Sequence, residues 1–186
     1  MSRNILAAIW GAWAVGWMVA AVWSARTVKR ESAGSRLLVL VLFALGFLPI
    51  FNPRALSPFL ATPLFNAPAV FDAGVVITIL GLGFASWARL HLGRQWSGSV
   101  TVKADHELIR SGPYAVVRHP IYTGLLAGVA GTALARATIG AFCGVVLIGV
   151  GCLIKIRVEE RMMTEQFGDA YRDYRRDVRT LIPFLW

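Results

Sequence analysis

The heptapeptide Arg118-His119-Pro120-Ile121-Tyr122-Thr123-Gly124 places a guanidinium, an imidazole and a phenol at the entrance of a long apolar run. Such groups are costly against hydrocarbon, so a chain that gathers them at the mouth of a spanning helix is expected to use them on a polar ligand. Pro120, with its fixed φ and missing N–H, suits the first helical position and puts His119 at the positive end of that helix. A second cluster, Arg157, Glu159, Glu160 and Arg161, follows a later apolar run. On a continuing helix Arg157, Glu160 and Arg161 share one face, while Lys155 pairs with Glu159 at i, i+4. Just ahead of the first cluster in the sequence lies Ser111-Gly112-Pro113-Tyr114, a turn signal in which glycine permits close backbone approach to a ligand.

The elements that must position these residues are membrane helices. The chain has 186 residues, 56% of them hydrophobic, with a mean hydropathy of +0.60 and seven Trp. That is far from the balance of a soluble domain. The formal net charge of +9 could suggest nucleic acid, but the basic residues stand beside apolar segments rather than in one soluble patch. Anionic lipid headgroups are the expected counterion, and no nucleic-acid partner is expected. Cys143 and Cys152 fall on opposite faces of one apolar run, which implies neither a disulfide nor a metal site. His91 and His106 are lone histidines that belong at the surface, so no metal is expected.

Apolar stretches cover about 5–23, 37–51, 69–90, 120–135 and 139–156. The first is longer than a signal-peptide core and carries four Trp, which predicts a retained helix with those rings at the interface or against lipid. The first and third are long enough to span outright, since about 20 helical residues cross the hydrocarbon. The last two are separated by Arg136-Ala137-Thr138, which predicts a tight antiparallel hairpin. Gly124, Gly128 and Gly131 in one helix and Gly140 and Gly144 in the other are expected to let those two backbones approach closely. With the N-terminus outside, the inner segments hold every Lys and Arg except Arg3, Arg54 and Arg136, a strong cytoplasm-inside signal. The expected architecture is a single all-α domain over 1–186, a polytopic membrane protein of about five transmembrane helices with a cytoplasmic C-terminus. Its hairpin folds the two polar segments, about 91–114 and 157–186, together on the cytosolic side. The link 52–68, with four prolines and one charge, is a stiff loop without evident chemistry.

The two polar segments together resemble the isoprenylcysteine carboxyl methyltransferase family of membrane enzymes. The leading pattern runs from His106 and Leu108 through Ser111-Gly112, Tyr114 and the Arg-His-Pro-x-Tyr-x-Gly string. The trailing pattern is Glu159-Glu160, Phe167-Gly168, Tyr171, Tyr174 and Pro183-Phe184. The resemblance covers the C-terminal half; the first two helices match as hydrophobic spans. It implies an S-adenosylmethionine-dependent methyltransferase whose cofactor enters from the cytosol and whose lipophilic, membrane-partitioned substrate, a lipidated one in the namesake members, enters from the bilayer. By motif position Leu108, Ile109, Gly112 and Tyr114 would line the cofactor, and His119, Pro120 and Tyr122 would complete its pocket. Arg157 and Glu160 would face the methyl acceptor, with Glu159 a close second for the acid, and Gln95 is a further polar position on the substrate side. One departure stands out: in animal members the acidic run is longer and the arginine lies further upstream.

The chemistry fits. When a carboxylate attacks a sulfonium methyl, two charges disappear, which a water-poor pocket favours. The protein's task is mainly to align acceptor oxygen and methyl group. Arg157 could hold a carboxylate through its planar fork while Glu160 fixes the arginine. A carboxylate acceptor needs no general base; a phenol or amine would, and Glu160 or Glu159 is the nearby candidate. Other readings stand beside this one. Phospholipid N-methylation is the nearest alternative, and similar strings in sterol reductases suggest nicotinamide (NADPH) chemistry, although 186 residues leave about half the helices of those enzymes. A non-catalytic transport protein would place charges inside its spans, whereas here they lie at helix ends. Residue by residue, Arg118 could equally be a positive-inside anchor, His119 a helix cap without ligand contact, and Tyr171 and Tyr174 interfacial aromatics. The charged pairs near 155–161 could equally be solvated surface pairs.

Overall fold

The computed structural model describes residues 2–21, 27–30, 32–93, 96, 101–103 and 108–183. Five long helices dominate it: α1 (Ser2–Ala21), α2 (Ala33–Phe51), α4 (Pro68–Leu92), α6 (Pro120–Arg136) and α7 (Ile139–Phe167). Short helices α3 (Pro53–Leu56) and α5 (Pro113–Val116) sit in the connections, and α8 (Asp169–Asp177) follows α7. One antiparallel pair, β1 (Thr27–Arg30) with β2 (Thr101–Lys103), is added to the expected helices. Four of the long helices have the length and apolarity to cross a membrane, and the chain is an integral membrane protein. The fifth, α6, has 17 residues, about 26 Å at 1.5 Å per residue and a little short of the hydrocarbon thickness.

The hairpin forms as expected. Ala137 closes it in the left-handed conformation (φ 51°) and the Thr138 side chain caps α7 by accepting from the Ala141 N–H. Its glycines, however, do not serve the hairpin. Those of α6 face α4: a Cβ on Gly124 would fall 2.5 Å from the Ala85 nitrogen, and one on Gly131 would fall 2.6 Å from the Gly74 oxygen. Gly144 of α7 faces α2, where an added Cβ would run into the Gly46 carbonyl, and Gly140 faces the Leu60 and Pro49 carbonyls. The reason is that α4 and α2 carry small residues at matching spacing, Gly74, Gly81 and Ala85 in one and Gly46 in the other. Two smooth surfaces therefore meet, and close packing is the main attraction available in lipid.

Two of the four tryptophans of the first apolar stretch also differ from expectation, while Trp23 lies outside the described residues. Trp10 is buried and its indole donates to Thr132 Oγ1 at 2.9 Å, while Trp13 donates to Ser86 Oγ at 3.0 Å. An indole N–H inside a bundle needs an acceptor, and hydroxyls on α4 and α6 supply it, so these rings pin α1 to the core instead of marking an interface.

The ends of the bundle are distinct. At one, the loop after α2 meets the hairpin turn, with the Leu64 N–H donating to the Ala137 carbonyl at 2.7 Å. At the other, α5, the start of α6, the end of α7 and α8 converge. That end holds the charged residues singled out from the sequence.

Candidate active site

A backbone strap builds the site's floor. Past α8 the chain runs parallel to the segment before α6: the Arg118 N–H donates to the Arg179 carbonyl at 2.7 Å and the His119 N–H to the Thr180 carbonyl at 3.1 Å. Thr123 Oγ1 adds a bond to the Leu181 carbonyl at 2.8 Å. A helix start leaves N–H groups without intrahelical partners; here Pro120 removes one and the strap holds the approach.

On this floor the side chains of α6 and α7 interlock. Arg118 donates from Nε and Nη2 to Glu160 Oε1 at 3.0 and 2.7 Å, and from Nη2 to Thr180 Oγ1 at 2.8 Å. It also donates to the carbonyls of Arg175 and Val178. His119 lies between the two acids, its Nε2 3.3 Å from Glu160 and its Nδ1 3.4 Å from Glu159. The Tyr122 hydroxyl donates to Glu159 Oε1. Arg175 of α8 stands 3.5 Å from Glu160 Oε2. Burial alone lowers the His119 pKa, but hydrogen bonds to Glu159 and Glu160 outweigh that and raise it above the ordinary imidazole value. His119 therefore holds a second proton more readily than a free imidazole, with a carboxylate facing each ring nitrogen.

The second wall is the turn before α5. Leu108 and Ile109 are half-buried in it, and Gly112 adopts φ 58° with the His91 ring so near that a Cβ there would fall 2.7 Å from it. His91 holds Ser111 Oγ at 2.9 Å. Tyr114 is buried, and its carbonyl accepts the Tyr174 hydroxyl at 2.6 Å.

The structure thus brings His119, Pro120, Tyr122, Glu159 and Glu160 into one cluster and lays Leu108, Ile109, Gly112 and Tyr114 in the adjoining turn. Arg157 is placed elsewhere. It is exposed on α7 with no hydrogen bond or ion pair among the described residues, and Glu160 does not fix it. The physical reason is competition: Arg118 reaches Glu160 with two donors from a rigid helix start, a fork that a neighbour on the same helix cannot match. Gln95 lies outside the described residues. Arg175 and Thr180 are site residues that sequence reasoning passed over, and Arg118, singled out there as a ligand group or a positive-inside anchor, is instead the partner of Glu160. For Arg118 the signal was present, since the motif arginine and the acidic pair both lie at helix ends that the hairpin brings together. Tyr171 and Tyr174 are 3% and 2% exposed, so they are packed side chains and not interfacial aromatics.

Comparison with known proteins gives consistent matches. A family model for phospholipid methyltransferase matches residues 70–170. The protein-S-isoprenylcysteine O-methyltransferase of Schizosaccharomyces pombe is 30% identical over 146 residues, covering 75% of this chain and 60% of the relative. The methanethiol S-methyltransferase of Pseudomonas deceptionensis is 36% identical over 72 residues, covering 39% of this chain and 27% of the relative. Among solved structures, the eukaryotic intramembrane Ras methyltransferase isoprenylcysteine carboxyl methyltransferase superposes with a TM-score of 0.55 and 26% identity, covering 85% of this chain and 55% of that one. The chain spans about 60% of the length of the first curated relatives it matches.

Proposed function

Since the chain belongs to the phospholipid methyltransferase family, we propose that it methylates a lipophilic, membrane-partitioned acceptor from S-adenosylmethionine, with a carboxylate oxygen as the accepting atom. The observation that carries this reading is the state of the two acids. Glu159 accepts from Tyr122 and faces His119, and Glu160 accepts from Arg118 and faces His119 and Arg175. Both are engaged as acceptors, so neither stands as an idle base for deprotonating an amine or phenol. An acceptor that brings its own negative charge needs none. The names of the isoprenylcysteine O-methyltransferase relatives support the same acceptor class, and a lipidated substrate agrees with a site at a membrane helix end.

The residues fit the methyl donor. Gly112, at its positive φ, lets the turn close on the His91 ring, which fills the place of a side chain and fixes the wall that carries Leu108, Ile109 and Tyr114. Glu159 keeps 26% of its side-chain surface open, which suits a cation. Bound S-adenosylmethionine would supply an electrophilic methyl group on a sulfonium sulfur. Leu108, Ile109, Gly112 and Tyr114 would bind it from the turn, with His119, Pro120 and Tyr122 on the α6 side. Glu160, locked by Arg118, holds α6 and α7 at a fixed separation and keeps His119 oriented. Arg157, one turn before Glu160 on the exposed face of α7, would meet an acceptor carboxylate arriving from the bilayer, without the Glu160 clamp that its sequence position suggested. Gln95 is kept as a substrate-side position. The asymmetry of Lys and Arg favours the site, and the C-terminus, on the cytoplasmic side with the N-terminus outside.

Calorimetric titration of the purified protein with S-adenosylhomocysteine and with NADPH tests the reading. Saturable heat from the first is expected. Heat from NADPH alone would replace methyl transfer by reductase chemistry.

A further inference from the structure

The end of the bundle away from the charged cluster holds a cavity of about 570 Å³. It opens where the C-terminal ends of α2 and α6 meet the N-terminal ends of α4 and α7. Its polar lining includes Arg54, Arg136, Asp72 and Asn66; Leu6, Ile50 and Phe71 form an apolar part. Arg54 and Asp72 make no ion pair among the described residues. The lining thus offers two positive groups and one negative group, so a phosphodiester can lie against the guanidinium groups while an ammonium on the same ligand meets the carboxylate of Asp72.

The position of Asp72 adds a direction. It is exposed on α4, and Val76, Ile79 and Leu80 continue the same face at helical spacing, 53%, 51% and 67% exposed. A polar seat thus stands at the head of an apolar stripe that faces lipid. That geometry favours an amphiphile over a free anion. The volume lies within the roughly 300–1,000 Å³ of small-molecule sites, enough for a headgroup and glycerol with the acyl chains left outside.

We propose that this cavity binds the headgroup of an amine-bearing phospholipid, its phosphodiester between Arg54 and Arg136, its amine toward Asp72 and its chains along the Val76–Leu80 face of α4. The seat is at the opposite end of the helices from Glu159 and Glu160, so the lipid is a ligand of the leaflet across from the methyl-transfer site and not an acceptor.

Thermal unfolding of the full chain in neutral detergent, titrated with four additives, tests this. Short-chain phosphatidylethanolamine is expected to raise the unfolding midpoint saturably. Phosphatidylglycerol of the same chains should act more weakly, and the matching diacylglycerol and inorganic phosphate should not act at all. Arg54→Gln, a change at an exposed side chain, should weaken the apparent affinity for phosphatidylethanolamine by about tenfold or more, the loss of a charge-assisted contact. Asp72→Asn should erase the preference over phosphatidylglycerol. An equal response to diacylglycerol would overturn the proposal in favour of a purely apolar groove, and an equal response to inorganic phosphate would make it a free-anion site. Unchanged affinity in both variants would remove these residues from any lipid site.

Discussion

Arg118 and Glu160 stand 42 residues apart in sequence and meet through two guanidinium N–H groups on one carboxylate oxygen, at 3.0 and 2.7 Å. Their side chains are 7% and 14% exposed. The pair is the crossing point of every element at this end: Arg118 precedes α6, Glu160 lies on α7, and the same guanidinium reaches the strap through Val178 and Thr180. Removing Arg118 leaves Glu160 to His119 and Arg175, and removing Glu160 leaves Arg118 to carbonyls and Thr180, so the loss is expected below the roughly 3–5 kcal/mol of a buried charge left without any partner. Arg118→Lys keeps the charge but not the fork, so it should recover only part of the stability in a chemical-denaturation series. Full recovery by lysine would show that charge alone matters and that the bidentate geometry does not.

The pH dependence of folding reports on His119. Its pKa in the folded protein is raised by Glu159 and Glu160, while the unfolded value is near 6.5 for an ordinary imidazole. A raised folded pKa gives stability that is fully present below about 6.5 and is lost as pH rises through the folded value. The unfolding midpoint of the wild type should therefore fall as pH rises from about 6.5 through the folded value. His119→Gln keeps hydrogen-bonding capacity but cannot titrate, so its midpoint should be flatter over that window. A slope unchanged in His119→Gln would assign the effect to another group.

Arg157 separates the acceptor side from the cofactor side. It makes no hydrogen bond or ion pair among the described residues, so Arg157→Ala should leave S-adenosylhomocysteine affinity near wild type while lowering turnover on a carboxylate acceptor. His119→Ala should do the reverse in binding, weakening S-adenosylhomocysteine because Glu159 and Glu160 lose the cation between them. Isothermal titration of both variants, paired with methyl-transfer rates, distinguishes the roles. Equal loss of cofactor affinity in the two would place Arg157 in the cofactor pocket.

The helices and the hairpin were legible because long apolar runs and a three-residue link leave few alternatives, and the turn at Ser111-Gly112-Pro113 was readable from its residue types. The partners were not. Gly124 and Gly144 announce close packing, but a small surface does not say which helix it faces; that depends on Gly74, Gly81 and Gly46, far away in sequence. The same limit misdirected Arg157. Helical spacing puts it near Glu160, whereas the arginine that wins is set by the tertiary meeting of α6 with α7. Trp10 and Trp13 read as interfacial because only the fold brings Thr132 and Ser86 within reach of their indoles.

Helix separation also gives a test far from the charges. A Cβ on Gly124 would fall 2.5 Å from both the Ala85 nitrogen and the Gly81 oxygen, backbone atoms that no rotamer change can move aside. Gly124→Ala must therefore push α6 away from α4, and His119 and Tyr122, within five residues at the start of the same helix, move with it. Overpacking of this kind costs about 1–3 kcal/mol. Gly83, on α4, has nothing within 4 Å of its added Cβ, so Gly83→Ala serves as the control and should be neutral or slightly stabilising. Gly124→Ala should lower the unfolding midpoint and weaken S-adenosylhomocysteine binding together. A lowered midpoint with unchanged binding would show that the α6 entrance is held by Arg118, Glu160 and the strap alone, independently of how α6 sits on α4.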